Sequence, residues 1–230
     1  MSRRSAELPD TTKPTPGPWL KVALIITILV VLVVAVASWY ALRPAPQAVV
    51  DPTPTATSAP VGPGLANGCL AGPDRTAAAL IAAQGKAPHT TLGAIELTAA
   101  FLRWQAQYPF PPAGDSGLVS KTMAAAKATP DMKDLAGTFS ARPVAQPGQT
   151  ITTSMAQGKY FVESAEADQA QITVGSTVVI NGTAVDPQNR GVSFTVTLVW
   201  ESGVWKISKM EPSRVPDQVF SQGTSFVGGC

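Results

Sequence analysis

The pattern of hydrophobic and polar positions changes character three times along the chain. An apolar run without a charge, Val22–Leu42, comes first. A polar stretch rich in Pro and Thr follows, over 43–68. From about 74 to 139 apolar residues recur at helical spacing, and from Gln149 the period falls to two. These switches predict one membrane-spanning helix, one spacer and one α+β domain whose helices precede its strands.

In the helical part, Asp74 is placed to cap an Ala-rich helix over 75–84, with Gly85 as its stop. A second helix is predicted over 92–107. Leu92, Ile95, Ala99 and Leu102 form one stripe, and Leu97, Phe101 and Trp104 an adjacent one. So wide an apolar face implies burial on more than one side. Glu96 and Arg103 fall on its polar side. Pro109, Pro111 and Pro112 end it. A third helix is expected from an Asp115 cap to about 128, and a short fourth over 132–139.

In the strand part, Tyr160 and Val162 alternate with polar neighbours. Ile172, Val174, Val178 and Ile180 share a face of a long strand, with Gly175 as the expected bulge. Val192, Phe194, Val196, Leu198 and Trp200 alternate with polar or small residues, the cleanest strand signal in the chain. Ser202-Gly203 reads as a tight turn into a last strand over 204–210, and residues 186–191 as a hairpin loop.

The run at 22–42 meets the length a bilayer needs, about 20 residues. Trp19 and Lys21 flank one end, and Trp39, Tyr40 and Arg43 the other, as interface anchors do. Arg3, Arg4, Lys13 and Lys21 precede the run, whereas Arg43 is the only base between it and Arg75. The positive-inside rule then puts a disordered tail, 1–18, in the cytoplasm and everything after 42 outside. A signal peptide is the competing reading, but its apolar core is shorter, and Trp39, Tyr40 and Leu42 make a poor cleavage site. At about 3.1 Å per residue the spacer 43–68 reaches roughly 80 Å. Residues 69–230 remain as the folded, extracytoplasmic domain.

Charge narrows the partners. Of 17 basic and 15 acidic residues, four and two lie before residue 43, so the exported part is neutral. No cluster of Lys or Arg marks a nucleic-acid surface, and direct nucleic-acid binding by this part is disfavoured. The two cysteines, Cys69 and Cys230, bracket the domain. Either they bridge and staple its ends, adding about 5 kcal/mol at most in the chain-entropy model, or they are two free thiols.

Candidate chemistry is sparse. His89, the single histidine, lies in a loop with no partnered nucleophile or metal-ligand spacing. Asp74, Asp115 and Asp131 read as caps, and Glu163, Glu166 and Asp168 as strand-edge or turn residues. No catalytic, cofactor-binding or metal site is expected, and the protein reads as a non-enzyme. Asn181-Gly182-Thr183 matches a glycosylation acceptor, a motif common by chance. Aromatic residues gather at Phe101, Trp104, Tyr108, Phe110, Trp200 and Trp205. They pack a core or line a groove. Phe101, Trp104, Val196 and Trp200 are the candidate cavity lining. Tyr108, Phe110 and Pro111 are the candidate partner contacts, since rings held between prolines are pre-ordered for docking; the same loop could instead plug the open end of the sheet.

The segments Gly68-Cys69-Leu70-Ala71-Gly72-Pro73-Asp74, Gln84-Gly85-Lys86-Ala87-Pro88-His89-Thr90 and Trp104-Gln105-Ala106-Gln107-Tyr108-Pro109-Phe110-Pro111 resemble a family of actinobacterial membrane-anchored proteins found with integrative and conjugative elements. The resemblance covers roughly 66–211. The terminal Trp200-Glu201…Gly203…Trp205-Lys206-Ile207 hairpin resembles that of NTF2-like folds, with helices on a curved antiparallel sheet. By layout the chain is similar to the single-pass NTF2-like subunits of type IV secretion channels. That resemblance implies a scaffold or channel subunit of a conjugative DNA-transfer apparatus, with the membrane and protein partners of the complex, other subunits or copies of itself, no cofactor and no catalytic residue. The alternative is an extracytoplasmic small-molecule or lipid-binding module of the cell envelope.

Overall fold

A computed structural model describes residues 64–185, 191–211 and 214–230. The expected cytoplasmic tail, span, spacer up to 63 and anchors Trp19, Lys21, Trp39, Tyr40 and Arg43 lie outside the described residues, as does the loop at 186–190. No helix among the described residues is long and apolar enough to cross a membrane.

The described chain is α+β, with helices packed against an antiparallel sheet. Its elements are α1 (Ala77–Lys86), α2 (Thr91–Gln105), α3 (Ala113–Met123), α4 (Pro130–Lys133), α5 (Leu135–Ser140), β1 (Ile151–Ala165), β2 (Gln169–Ile180), β3 (Thr183–Ala184), β4 (Gly191–Glu201), β5 (Val204–Glu211), α6 (Pro216–Gln222) and β6 (Thr224–Ser225). The strand order is β5-β4-β2-β1-β6, with β3 pairing β2.

Helix α2 lies at the centre of the core. From Thr91 to Gln105 only Leu92 and Glu96 escape full burial. Gly93 permits this depth, since a Cβ there would stand 2.1 Å from the Pro88 carbonyl oxygen. Arg103, on the side expected to be polar, is 2% exposed. Helix α1 starts two residues later than expected. Thr76, not Asp74, accepts the Ala79 N–H as N-cap, and Asp74 accepts from Thr76 instead. Helix α3 also departs from expectation. It begins after Pro112 with Asp115 in its first turn, and it stops at Met123. Residues after it run beside the outer edge of β5, where Ala125 and Thr129 donate to the Ile207 and Ser208 carbonyls. An edge covered this way cannot pair with another chain. The expected fourth helix is two, broken at Asp134, which caps α5 through Gly137 N–H.

Two hairpins use positive backbone angles. Ser202 and Gly203 have φ of 54° and 79°, Asn181 and Gly182 of 48° and 81°. Both fit the primed turns that match strand twist. Thus Asn181-Gly182, read above only as part of a sequon, turns β2 into β3. The irregularity next to Gly175 belongs to β1, where four residues between Ser154 and Lys159 face the single Ser176. Gly175 is needed for close packing instead, because a Cβ would sit 2.7 Å from Cγ1 of Val219 in α6.

The chain ends are tied together. Cys69 and Cys230 form a disulfide, with Cα atoms 5.5 Å apart. The C-terminal segment follows β1: Thr224 and Ser225 pair with Tyr160 and Lys159, Phe226 N–H donates to Gly158, and Met155 N–H donates to the Cys230 carbonyl. Ala66 is fully buried and accepts from Val227 N–H. The fold therefore starts ahead of Cys69.

Candidate binding cleft

Phe101, Trp104 and Val196, the expected cavity lining, lie in the hydrophobic core. All three are at most 1% exposed and belong to the closed core. Trp200 is half-buried elsewhere, stacked on His89 with centroids 4.0 Å apart and planes 8° off parallel. His89 reaches the β1–β2 turn, with Nε2 2.9 Å from the Ala167 carbonyl and 3.0 Å from Asp168 Oδ1. Trp205 donates its indole N–H to the Pro88 carbonyl and accepts at its own carbonyl from Gln84. These contacts clasp the α1–α2 loop to the sheet.

A cleft of about 530 Å³ opens instead at the end of α2. Ile151, Val178, Ile180 and Val192 supply its sheet side, and Tyr108, Phe110 and Val144 its loop side. Pro111, expected to contact a partner, is buried, and its carbonyl accepts from Ser116 Oγ. Tyr108 is held by two backbone hydrogen bonds with Ile151, of 2.7 and 2.9 Å. Its ring meets Phe110 edge-on at 5.4 Å. Phe110 stacks on Phe139 at 6.1 Å, Phe139 meets Trp104 at 5.5 Å, and Trp104 meets Phe101 at 5.8 Å. The rings form a continuous path from the core to the cleft wall. Such contacts each add about 0.5–1.5 kcal/mol beyond area burial and fix the orientation of the outer pair.

Three arginines serve the same end of α2. Arg142 lies over Phe139 at 4.6 Å and donates to the Gln105 carbonyl and side-chain oxygen at 3.2 and 3.1 Å. Arg75 donates to the carbonyls of Arg103 and Thr153. Arg103 donates to those of Gly72 and Pro73, and its Nε is buried without a partner. Arg75 and Arg142 thereby satisfy carbonyls near a helix C-terminus, where positive charge is favoured. Burial lowers the Arg75 and Arg142 pKa values, and burial plus the neighbouring Arg75 charge pushes Arg103 down to about 10. None of the three forms an ion pair among the described residues. No Asp or Glu is among the residues lining the cleft.

On the other side of the sheet, Glu163 accepts from Arg214 at 2.6 and 2.8 Å and from Thr173 at 2.7 Å. The Arg214 hydrogen bonds hold the Glu163 carboxyl below its ordinary range, against the opposing effect of burial. Glu163 is thus a structural partner and not the solvated edge residue expected. Among the described residues no group of three or more His, Cys, Asp or Glu is arranged to hold a metal.

Sequence reasoning named Tyr108 and Phe110 but missed Arg142, Gln105, Thr153 and the sheet residues around Ile151. Arg142 lies in Ser140-Ala141-Arg142-Pro143, which carries no motif. No family model, curated protein or solved structure matches the chain.

Proposed function

We propose that this protein is a non-enzymatic, single-pass envelope protein whose exported NTF2-like domain works by binding, as an assembly subunit of a conjugative, type IV secretion-like DNA-transfer apparatus. The observation that carries the binding role is the fixed Tyr108–Phe110 wall of the cleft. Rings already held by backbone and ring contacts lose little freedom on docking. The apolar run at 22–42 and the Pro-rich spacer support the anchored layout, and the motifs at 68–74, 84–90 and 104–111 support the conjugative assignment. Replacing Tyr108 and Phe110 by Ala in the full-length protein is expected to reduce recovery of partner membrane subunits at least several-fold, with the domain still folded. Unchanged recovery would remove this surface from the assembly.

A second reading is favoured by the size of the cleft. Its volume falls in the ordinary range for small-molecule sites, roughly 300–1,000 Å³. On this reading the domain takes up an apolar ligand at the envelope, and native mass spectrometry of protein taken from its host should show a bound small molecule.

A further inference from the structure

The cleft carries polar groups that the protein itself does not use. Arg142 gives one N–H from each terminal nitrogen to Gln105, and its remaining N–H groups have no partner among the described residues. Thr153, on the inward face of β1 beside Ile151, buries a hydroxyl with no hydrogen-bond partner. That oxygen is closed to solvent, so it is not offered to a molecule in the cleft. The glutamines nearby are used only in part. Gln107 donates to the Trp104 and Arg75 carbonyls, Gln105 accepts from Arg142, and Gln149 accepts from Gln146 N–H.

Among its lining residues the cleft thus offers one charged group, the Arg142 cation, beside an apolar trough, with the Tyr108 hydroxyl and the amide N–H groups of Gln105 and Gln149 as neutral donors. A molecule with one anionic end and an apolar body matches both the charge and the walls. We infer that the cleft is a binding site for a fatty-acid-type amphiphile, an apolar chain ending in a carboxylate that accepts hydrogen bonds from Arg142. This inference rests on the second reading above and names its ligand class.

The test uses the full chain in lipid nanodiscs, with dodecanoate, dodecanol and acetate as probes and hydrogen–deuterium exchange as the readout. Wild type and variants are compared in the same discs, so that partitioning into lipid cancels. Dodecanoate is expected to slow exchange at 105–110 and 142–153, half-saturating at a concentration about tenfold below dodecanol, the effect of one charge-assisted contact. Acetate, which lacks the apolar body, should leave exchange unchanged. Arg142→Gln should abolish the gap between dodecanoate and dodecanol, and Arg142→Lys should restore part of it. Equal protection by dodecanol and dodecanoate, or a gap unchanged in Arg142→Gln, would overturn the carboxylate assignment while leaving a ligand cleft. Absence of protection by either long-chain probe would overturn the second reading as well. If Arg142→Gln does not fold, the wild-type comparison of the three probes and Arg142→Lys, expected to narrow the gap between dodecanoate and dodecanol, still decide the matter.

Discussion

The two ends of one aromatic path have different fates. At its inner end Phe101 and Trp104 are sealed by α2, Phe139 and the sheet. At its outer end Tyr108 and Phe110 face an open cleft, although they are joined to the same path through Phe139. Both ends lie within ten residues in sequence and are equally rich in rings. The difference is that the inner rings sit on a helix that meets the sheet, whereas Pro109, Pro111 and Pro112 carry the outer rings past the helix end. Burial by opposing elements decides which rings build the core and which stay open at the cleft.

That contrast can be broken at the inner end first. Trp104→Ala should destabilise the domain by about 3–5 kcal/mol, since the cavity left in a closed core collapses only in part. Tyr108→Ala should cost less than about 1.5 kcal/mol, because its ring is half-exposed and its backbone bonds remain. Equilibrium denaturation of the two variants checks both values, and similar losses would erase the distinction. Replacing Cys69 and Cys230 by Ser should cost about 2–5 kcal/mol. It should also raise amide exchange at Met155 and Gly158–Tyr160, where the C-terminal segment covers β1, while leaving the cleft unchanged. Gly93→Ala should destabilise by about 1–3 kcal/mol, because it drives α2 away from the Pro88 backbone.

The smallest effect concerns pH. The folded-state pKa of Glu163 is depressed, so its pairing with Arg214 contributes stability above the ordinary carboxylate pKa. That contribution fades as pH falls through the folded value. Glu163→Gln should remove this part of the acid sensitivity, seen as a flatter dependence of the denaturation midpoint on pH below about 5. The cleft holds no acid among its lining residues, so the same scan should leave its occupancy by a neutral probe unaffected.

How far the sequence reveals these features depends on the range of the forces involved. Period-3.6 and period-2 patterns locate α2 and β4 within a residue or two, because the spacing of large apolar residues and the Pro and Gly stops beside them are local. The Ser202-Gly203 turn is legible for the same local reason. Helix α3 ends at Met123, not near 128, because Ala125 and Thr129 bond to β5, a partner distant in sequence. The C-terminal segment looks like a tail until Ala66, Met155 and Gly158 are placed against it. Of the site, the rings at 108 and 110 are visible through their prolines. Arg142 is not visible, since its role follows from capping Gln105 in a helix many residues earlier. Alternation at Val196 and helical spacing at Phe101 and Trp104 show that these side chains point inward, and not how the space around them is filled.

The central claim is that binding occurs at the outer end of the aromatic path. Its most direct test places a photo-crosslinking amino acid at Tyr108 in the full-length protein in its own host, with Val162, an exposed strand residue, as the control position. Capture of membrane subunits of a transfer apparatus from 108 and not from 162 is the expected result. Equal capture from both positions, or none from 108 while the complex still assembles, would contradict the account.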